Sequence, residues 1–442
     1  MRRRILILGS GGREAALAWK FHREQCQVYI APGNGGTDRW ATCVPIALEG
    51  CATSKDYFYA IANFALQFHI DLIIIGPEKL LEMGIVDSLV AYGLRVFGPT
   101  QAAAAIECSK ADGKDIAGVR GIQTAGYRVF TNPGEAFAYV EVAQMPVVIK
   151  TEDPRSGERT RIVRTVSEAT AALRFFMLQG NAGSSVIIEQ VIEDGEELSA
   201  HAVADGDGKS AVHFPVAQDH SQLIPGGPFT GGVGAIVPVP WVGREHRAAI
   251  HQTTVETLAE LHERGRPFRG LLYPQFKGPY LLEYNARFGD PETQAYMRLL
   301  ESSLYNLTFA SAEGDLASTD EVRWRPGYAA SIAAVSGGYG RHGGKPQYRF
   351  PIMGIEEAEQ VPSVIVFPAG VRRGERGELL TDGNRVLHVT AIGKTLEQAL
   401  ARAYEGVSCI HFTNMDFSRT IGQSALMLQS AQERQHIRNN PL

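Results

Sequence analysis

The sequence predicts an α/β domain followed by α+β domains, and three observations support this fold class. The chain has 442 residues, which is more than one ordinary hydrophobic core accommodates. Apolar runs alternate with helical stretches over the first hundred residues, and strand-like segments dominate after Pro99. Hydrophobic residues make up 44% of the chain and charged residues 21%, as in ordinary globular proteins.

Residues 1–100 are predicted to form a Rossmann-like domain with a parallel sheet. Helical stretches at 14–22 and 55–68 separate apolar runs that are rich in β-branched residues. Nearly continuous apolar strands between helices are typical of a sheet covered on both faces. The predicted strands are "RILIL" (4–8), "QVYIA" (27–31), "DLIIIG" (71–76) and "RVFG" (95–98).

An α+β domain with a nucleotide-sized cleft is predicted for residues 101–325, with a flap subdomain at about 124–192. A C-terminal strand-rich domain (326–428) and a polar tail (429–442) follow it. The α+β domain opens with a helix-rich segment at 102–120. Its predicted strands lie at 128–130, 146–150, 161–166, 185–192, 196–206, 271–276 and 279–284, and the last domain has a strand within 330–340 and a helix at 395–407.

The composition argues against several classes of function. The net charge is −5 and basic residues are dispersed, so no dedicated nucleic-acid surface is predicted. No apolar run approaches the roughly 20 residues that span a bilayer. The N-terminal "MRRRILILGSGGREAALAWK" is predicted to be a strand that leads into a helix, not a targeting segment. The 5 cysteines have no CxxC spacing, which predicts neither zinc nor disulfides and favours a reducing cytoplasm.

The segment "LLEYNARFGDPETQ" (281–294) places a carboxylate and a carboxamide near the end of a predicted strand. Glu283 and Asn285 are two residues apart, so their side chains point to the same face. Two such oxygen ligands suit Mg²⁺ that is shared with substrate phosphates. A plain ion pair between Glu283 and Arg287 explains the pattern equally well from these residues alone.

Lysines at three positions are suited to binding a triphosphate. Lys150 closes the apolar strand at 146–150, and Lys110 and Lys114 lie four residues apart, on one face of a predicted helix. A triphosphate needs cations from separate elements of the fold, which these positions can supply. For any single surface lysine, a solvated charge is the commoner explanation.

The segment "VIIEQVIEDGEELS" (186–199) is a candidate adenosine-binding hairpin. Glu189 ends a predicted strand, and the link Gln190–Ile192 can hold adenine through backbone hydrogen bonds, with Glu197 near the ribose. An exposed acidic hairpin is the alternative, and it is the better explanation of this segment taken alone.

Glycine-rich segments occur at two places. "GSGGRE" (9–14) lies between a predicted strand and a predicted helix, where backbone amides and the helix dipole favour an anion. It lacks a full GxGxxG, and turn formation also explains its glycines. "GGPFTGGVGA" (226–235) is predicted to be a packed loop, with a flexible linker as the alternative.

Taken together, these motifs occur in the order of one known family. "NARFGDPE" and "TGGVGA" (230–235) are the most specific, and the others are "GSGGRE", "APGNGGT" (31–37), "GPE" (76–78), "FGPT" (97–100), "SKADGKD" (109–115), "EDGEELS" (193–199), "AQDH" (217–220), "SGGY" (336–339) and "AYEGV" (403–407). Over its full length the chain resembles the phosphoribosylamine–glycine ligases of the ATP-grasp superfamily. The resemblance implies an ATP-grasp fold with an N-terminal Rossmann-like domain and a C-terminal strand-rich domain.

The resemblance also implies a reaction. Such ligases use ATP to phosphorylate the carboxylate of glycine, and the amine of phosphoribosylamine then attacks the acyl phosphate. ATP and Mg²⁺ are the implied cofactors, with Mn²⁺ as an alternative metal. The implied partners are small molecules (ATP, an amino acid or other carboxylate, and an amine) without nucleic acid or membrane, in a cytoplasmic monomer or homodimer of purine biosynthesis.

The resemblance assigns site residues by their position in the motifs. Glu283 and Asn285 fall on the family's Mg²⁺ ligands, and Arg287 and Asp290 are the implied catalytic residues. The implied ATP-binding residues are Lys110, Lys114, Lys150, Glu189, Gln190, Ile192 and Glu197. The implied substrate-binding residues are Gly11, Gly12, Arg13, Glu14, Asn34, Glu78, Asp219, Phe229, Thr230, Gly231, Gly232 and Gly234.

Several positions depart from the family pattern. The family's Gly/Ala-rich flap is replaced by "TEDPRSGERTR" (Thr151 to Arg161), in which Glu152 and Asp153 bring negative charge and arginines such as Arg161 can offset it. Phe229 and Val233 replace an amide and a methionine of the glycine-rich motif. Further departures are Ala15, Ser221 with Gln222, "FPAG" (367–370) and "FSRTIG" (417–422).

Three functions are compatible with this pattern. The first is a phosphoribosylamine–glycine ligase with divergent loops. The second is a paralogous ligase that joins a different acid and amine, because the departures gather where substrates are expected. The third is a nucleotide-binding protein without turnover, because the flap is altered.

Overall fold

The fold is described from a computed structural model that covers residues 2–151, 160–178 and 185–439. The chain divides into two compact units. Unit 1 comprises Met1–Ala104, Leu198–Tyr273 and Ala286–Leu442, and unit 2 comprises Ala105–Glu197 and Pro274–Asn285. Within the described residues, no helix combines the length and the apolar character that a membrane span requires.

Unit 1 opens with a parallel five-stranded sheet in the order β3-β2-β1-β4-β5. Buried β-branched and leucine side chains such as Ile5, Ile7 and Ile74 fill its core. The Rossmann-like prediction is therefore confirmed. Its elements are β1 (Arg4–Gly9), α1 (Gly12–Arg23), β2 (Gln27–Pro32), β3 (Thr42–Cys43), α2 (Ser54–Gln67), β4 (Leu72–Ile75), α3 (Glu78–Glu82), α4 (Ile85–Ala91) and β5 (Val96–Phe97).

Unit 2 contains an antiparallel sheet in the order β6-β9-β7-β8. Its core includes Val147, Ile149, Phe176 and Ile188. The helix α5 (Gln101–Cys108) leads into this unit, and its elements are α6 (Lys110–Val119), β6 (Tyr127–Phe130), α7 (Pro133–Val142), β7 (Val147–Thr151), β8 (Thr160–Val163), α8 (Val166–Leu173) and β9 (Val186–Gln190). The next strand, β10 (Glu197–Ser199), begins in unit 2 and ends in unit 1.

The remaining elements belong to unit 1, except that β16 and the end of β15 lie in unit 2. They include an antiparallel sheet in the order β13-β14-β17-β21-β18. They are β11 (Ala202–Asp205), β12 (Ala211–His213), β13 (Gln218–Gln222), β14 (Phe229–Val237), α9 (Arg244–Glu263), β15 (Arg269–Lys277), β16 (Tyr280–Asn285), α10 (Glu292–Leu299), α11 (Leu304–Glu313), β17 (Tyr328–Val335), α12 (Ile355–Gln360), β18 (Val364–Pro368), β19 (Val371–Arg373), β20 (Leu379–Thr381), β21 (Arg385–Gly393), α13 (Leu396–Cys409) and α14 (Gln423–Asn439).

The structure differs from the sequence expectations in the second glycine-rich segment and in the tail. Residues 226–235 were predicted to be a loop, but most of them form β14, which pairs with β13 and β17. Position 232 of the strand requires glycine, because φ is +97 and a Cβ there would lie 2.8 Å from Asp290 O and 2.7 Å from Pro291 Cδ. The polar tail predicted from residue 429 continues α14 as far as Asn439. The domain limits at 100, 325 and 428 stay predictions.

Candidate active site

Lysines from two elements of unit 2 share one buried carboxylate. Lys114 Nζ lies 3.3 Å from Glu189 Oε1, and Lys150 Nζ lies 3.0 Å from Glu189 Oε2. The helix α6 carries Lys114, and the neighbouring strands β7 and β9 carry Lys150 and Glu189. The side chains of all three are at most 9% exposed. Three of the seven residues predicted to bind ATP therefore form one buried charge cluster.

The local charges act differently on the two lysines. Burial lowers the pKa of Lys114, although Glu189 opposes the shift. Burial also acts to lower the pKa of Lys150, but Glu189 and Glu283 outweigh it and the net pKa is raised. Lys150 is therefore held as an ammonium group, the form that neutralises phosphate. Burial raises the pKa of the nearby Glu197, against the charge of Lys277.

A second ion pair of unit 2 joins Lys110 and Glu283. Lys110 Nζ donates a hydrogen bond of 2.6 Å to Glu283 Oε2. Ser109 caps α6 by accepting from the backbone N–H of Asp112, so Lys110 starts the helix one turn before Lys114. The predicted helical face and the predicted strand are both confirmed. Asn285 ends that strand, β16, and is 7% exposed.

The charged side chains line a small pocket whose other walls are apolar. Ile106, Leu281 and Tyr284 contribute these walls. Gly113 of α6 permits a close approach, because a Cβ there would lie 3.2 Å from Tyr284 Cδ2. The pocket therefore brings ammonium groups from separate elements together, which is the arrangement that phosphate groups require.

The predicted oxygen ligands, Glu283 in the pocket and Asn285 two residues further along β16, fit a magnesium ion only in partnership with a substrate. Glu283 and Asn285 offer hard oxygen atoms, which Mg²⁺ prefers. The described residues contain no group of three or more His, Cys, Asp or Glu side chains that could hold a metal ion by themselves. Mg²⁺ characteristically completes its shell with water and substrate phosphates, so this sparse donor set suits a nucleotide-bound metal.

The hairpin predicted to hold adenosine contains Gln190, Ile192 and Glu197. The backbone N–H of Gln190 donates to the carbonyl of Gly126 at 2.9 Å, so the sheet already uses this amide. Ile192 lies in the irregular link between β9 and β10 and is half-buried. Glu197 begins β10. The adenine and ribose contacts of this segment stay predictions.

The first glycine-rich segment, in unit 1, is closed by a carboxylate of the chain itself. Gly11 N–H donates to Glu14 Oε2 at 2.6 Å, and Arg13 Nε lies 2.5 Å from Glu14 Oε1. Arg13 Nη1 also donates to the carbonyl of Phe288 at 3.0 Å. Glu14 is 2% exposed, and a Cβ on Gly76 would overlap its carboxylate. The Gly11 amide is therefore already paired inside the protein.

Asp290 is the centre of a second polar cluster in unit 1. Arg385 Nη2 lies 3.0 Å from Asp290 Oδ2, and Gln294 Nε2 donates to Oδ1 at 2.7 Å. His388 Nε2 lies 3.5 Å from the same Oδ1. Burial acts to raise the pKa of Asp290, but Arg385 and its other neighbours hold it well below the ordinary range. Asp290 is therefore a carboxylate at any physiological pH.

Sequence reasoning missed three residues of this cluster: Arg385, Gln294 and His388. Arg385 donates to the carbonyls of Gly231 and Asp290 at 2.5 and 2.6 Å, and so ties the glycine-rich strand to the Asp290 turn. Burial lowers the pKa of His388 to about 4, so its ring is neutral. A charged residue at the start of an apolar strand was the sole signal for Arg385. Gln294 is the last residue of the segment 281–294 but was assigned no role, and His388 gave no signal.

The other predicted substrate residues occupy varied positions in unit 1. Asn34 Nδ2 donates to the carbonyls of Ser10 and Pro368 at 2.8 and 3.1 Å, which fixes the loop after β1. Arg287 Nε lies 3.6 Å from Glu78 Oε2. Asp219 Oδ1 would lie 2.9 Å from a Cβ on Gly232.

Residues of β14 divide between surface and core. Phe229 is 38% exposed, and Thr230 Oγ1 donates to the carbonyl of Ser221 at 2.7 Å. Gly234 lies inside the sheet between His220 and Ile332, against Ile421. The exposed start of the strand is the part that a substrate can reach.

The altered flap lies largely outside the described residues. This applies to Glu152, Asp153 and the other positions at 152–159. Arg161, at its far end, places its guanidinium carbon 4.4 Å from the ring centroid of Phe175. The described contact is thus a cation–π interaction with the flap subdomain's own aromatic side chain.

The opening α/β domain and the sheet that presents Lys150 and Glu189 define this protein as one with the ATP-grasp fold. Family models of phosphoribosylglycinamide synthetase match its N domain at residues 3–107, its ATP-grasp (A) domain at 108–293 and its C domain at 329–424. The chain belongs to this family, the phosphoribosylamine–glycine ligases. The resemblance inferred from the motifs is thereby confirmed.

Individual relatives extend over nearly the whole chain. The phosphoribosylamine–glycine ligase of Nostoc sp. is 38% identical over 431 residues, which cover 95% of this chain and 99% of the relative. The crystal structure of the Thermotoga maritima ligase is 30% identical with a TM-score of 0.78, and covers 95% of this chain and 100% of that one.

A more distant structural neighbour shares the fold alone. The biotin carboxylase domain of the Hydrogenobacter thermophilus 2-oxoglutarate carboxylase, solved with magnesium ADP, is 14% identical with a TM-score of 0.71. The match covers 98% of this chain and 94% of that domain.

Proposed function

We propose that this chain is an ATP-dependent ligase that joins glycine to phosphoribosylamine. The γ-phosphoryl group of ATP passes to the glycine carboxylate, giving ADP and an acyl phosphate. The amine then attacks the acyl carbon and the C–N bond forms. Inorganic phosphate leaves with the acyl–oxygen electron pair and takes up the proton that the amine loses. The observation that carries this proposal is the convergence of Lys110, Lys114, Lys150, Glu189 and Glu283 on one pocket, in a chain of this family.

The roles of the pocket residues follow from the demands of phosphoryl transfer, which are positioning and charge neutralisation. Lys110, Lys114 and Lys150 bind the phosphate oxygens. Glu283 and Asn285 hold Mg²⁺, for which Mn²⁺ can substitute. The metal, when bound, neutralises developing charge on the phosphates. The link Gln190–Ile192 is proposed to hold the adenine, with Glu197 near the ribose.

The roles of the unit 1 residues follow from their charge. Asp290 is an anion at neutral pH and suits the ammonium group of glycine, and Arg287 suits a carboxylate or an acyl phosphate. The glycine-rich loop with Arg13, and the exposed start of β14, are the proposed surfaces for the remaining parts of the substrates. We expect the protein to act in the cytoplasm, as a monomer or homodimer.

A direct assay tests this function. The full-length chain, supplied with ATP, Mg²⁺, glycine and freshly generated phosphoribosylamine, is expected to form glycinamide ribonucleotide and stoichiometric ADP and phosphate. It is also expected to rescue a purine auxotroph that lacks its own ligase. ADP formation with other acids and amines but not with this pair would identify a paralogous ligase. ATP binding without turnover on any pair would identify a nucleotide-binding protein.

Phe229→Asn is expected to change substrate use more than ATP use. Phe229 is 38% exposed and stands where the family has an amide, so the variant restores a hydrogen-bonding group. A hydrogen bond of this kind is worth about 1 kcal/mol, so KM for glycine or the amine should change by about fivefold. KM for each substrate measures the effect. Phe68→Asn is a matched control, because Phe68 is 37% exposed. A change confined to the KM for ATP would assign β14 to the nucleotide.

A further inference from the structure

The two carboxylates of the unit 2 pocket are exposed to very different degrees. Glu189, which is held by Lys114 and Lys150, has a side chain only 3% exposed. Glu283 is 31% exposed and its partner Lys110 is 21% exposed. The Lys110–Glu283 pair is therefore the more accessible part of the charge cluster.

Lys110 compensates the negative charge of Glu283, the proposed metal ligand. Its ammonium lies 2.6 Å from Glu283 Oε2, one of the two oxygens that this carboxylate offers to a divalent cation. A cation at that oxygen would sit within a few ångströms of the ammonium group, and the repulsion between charges of +2 and +1 is twice that between two unit charges. The metal and Lys110 therefore compete for the same carboxylate.

The neighbouring lysine does not have this freedom. Lys114, one turn further along α6, is 5% exposed and is tied to both Glu189 and the hydroxyl of Thr124. Thr124 in turn donates to the carbonyl of Leu281 at 2.9 Å. Lys110 has a flexible four-carbon stem on a capped helix, so its ammonium can move while its backbone stays in place.

We propose that Lys110 is a positioning residue that withholds Glu283 from the metal until a nucleotide binds. This inference rests on the proposed function, in which Glu283 is a metal ligand. An incoming triphosphate offers the ammonium group a second anionic partner, Lys110 moves from the carboxylate to a phosphate oxygen, and Glu283 becomes available to the cation. Metal and nucleotide then bind with positive coupling, and each raises the affinity for the other by the same factor.

Mn²⁺ binding tests the exchange without a need for turnover. Free Mn²⁺ is measured by electron paramagnetic resonance with the full-length chain, alone and with a saturating non-hydrolysable ATP analogue. Lys110→Met is expected to bind Mn²⁺ about tenfold more tightly than the wild type when no nucleotide is present. The gain in Mn²⁺ affinity on adding the analogue should shrink by a similar factor. Lys110→Arg should behave as the wild type.

A charge-matched control separates a specific exchange from general electrostatics. Lys277→Met removes one positive charge from the same unit, but its charge acts on Glu197. The inference predicts no change in nucleotide-free Mn²⁺ binding for this variant. An equal gain in Lys277→Met, or no gain in Lys110→Met, would overturn the exchange.

Glu283→Gln distinguishes failure of the exchange from failure of the proposed function. If Glu283→Gln binds Mn²⁺ with the analogue as tightly as the wild type does, Glu283 is not a metal ligand and both proposals fall. If Glu283→Gln loses Mn²⁺ while Lys110→Met gains nothing, the metal site stands and the exchange is wrong. Far-ultraviolet circular dichroism of each variant establishes that it is folded.

Discussion

Replacing Glu283 with glutamine is expected to lower kcat by about 100-fold or more. The variant keeps the size of the side chain but removes the anionic oxygen that is proposed to bind Mg²⁺, and loss of one preorganised electrostatic contact typically costs this much. The side chain is 31% exposed, so the fold should persist. The measurement is steady-state kcat over a range of Mg²⁺ and Mn²⁺ concentrations, with circular dichroism to compare the folds.

Another acidic residue provides the control for this experiment. Glu141→Gln makes the same chemical change at an exposed position of unit 2, on α7 and outside the predicted binding segments, and is expected to keep the wild-type rate. Partial rescue of Glu283→Gln by high metal concentration would support a metal role. A wild-type rate in Glu283→Gln would place the metal ligands elsewhere.

Asp290→Asn is expected to destabilise the protein by about 3 kcal/mol at pH 7. The variant leaves the Arg385 guanidinium without its carboxylate in a largely buried cluster, where the Asp290 side chain is 13% exposed. Breaking a buried ion pair by removing one partner commonly has this cost. Loss of the proposed contact to glycine should also raise the KM for glycine. Chemical unfolding and substrate kinetics measure the two effects.

The destabilisation should depend on pH. Although burial acts to raise the pKa of Asp290, Arg385 and the other neighbours hold it well below the ordinary value. The folded state therefore favours the ionised form, and the resulting stability is present above the unfolded pKa of about 3.9 and is lost as the pH falls below it. The difference between wild type and Asp290→Asn should be smaller at pH 3 than at pH 7.

An exposed ion pair supplies the contrast for this prediction. Arg349 Nη1 lies 3.0 Å from Asp382 Oδ1, and these side chains are 52% and 36% exposed. Asp382→Asn should cost less than about 1 kcal/mol, because solvent screens such pairs. Equal destabilisation in the two variants would mean that burial does not increase the contribution of the Asp290–Arg385 ion pair to the free energy of unfolding.

The elements that sequence reasoning predicted well are those set by local periodicity. The apolar runs at β1, β2 and β4 and the intervening helices follow from side-chain patterns within ten or fifteen residues. The spacing of Lys110 and Lys114 placed both on one face of α6, and the position of Lys150 placed it at the end of β7. The family motifs identified the ligase class because specific residue types occur in a fixed order along the chain.

In the second glycine-rich segment, the prediction from local sequence was wrong. Glycine has weak strand propensity, so residues 226–235 were predicted to be a loop, yet pairing with β13 and β17 makes most of them a strand. Likewise, glycines at 9–12 suggested open amides, but Glu14 occupies the amide of Gly11. In both places, partners outside the local pattern decided the outcome.

Chain order and side-chain spacing were enough to establish the family, the opening parallel sheet and the residue types of the nucleotide pocket. The three-dimensional packing alone decided which charges meet: Glu189 joins Lys114 to Lys150, Lys110 takes Glu283, and Arg385 holds Asp290 from 95 positions away in the sequence. Periodicity carries information over a few turns or strand residues. The pairing of distant charges depends on how the sheets and helices pack in three dimensions. A local sequence pattern contains no information about that packing.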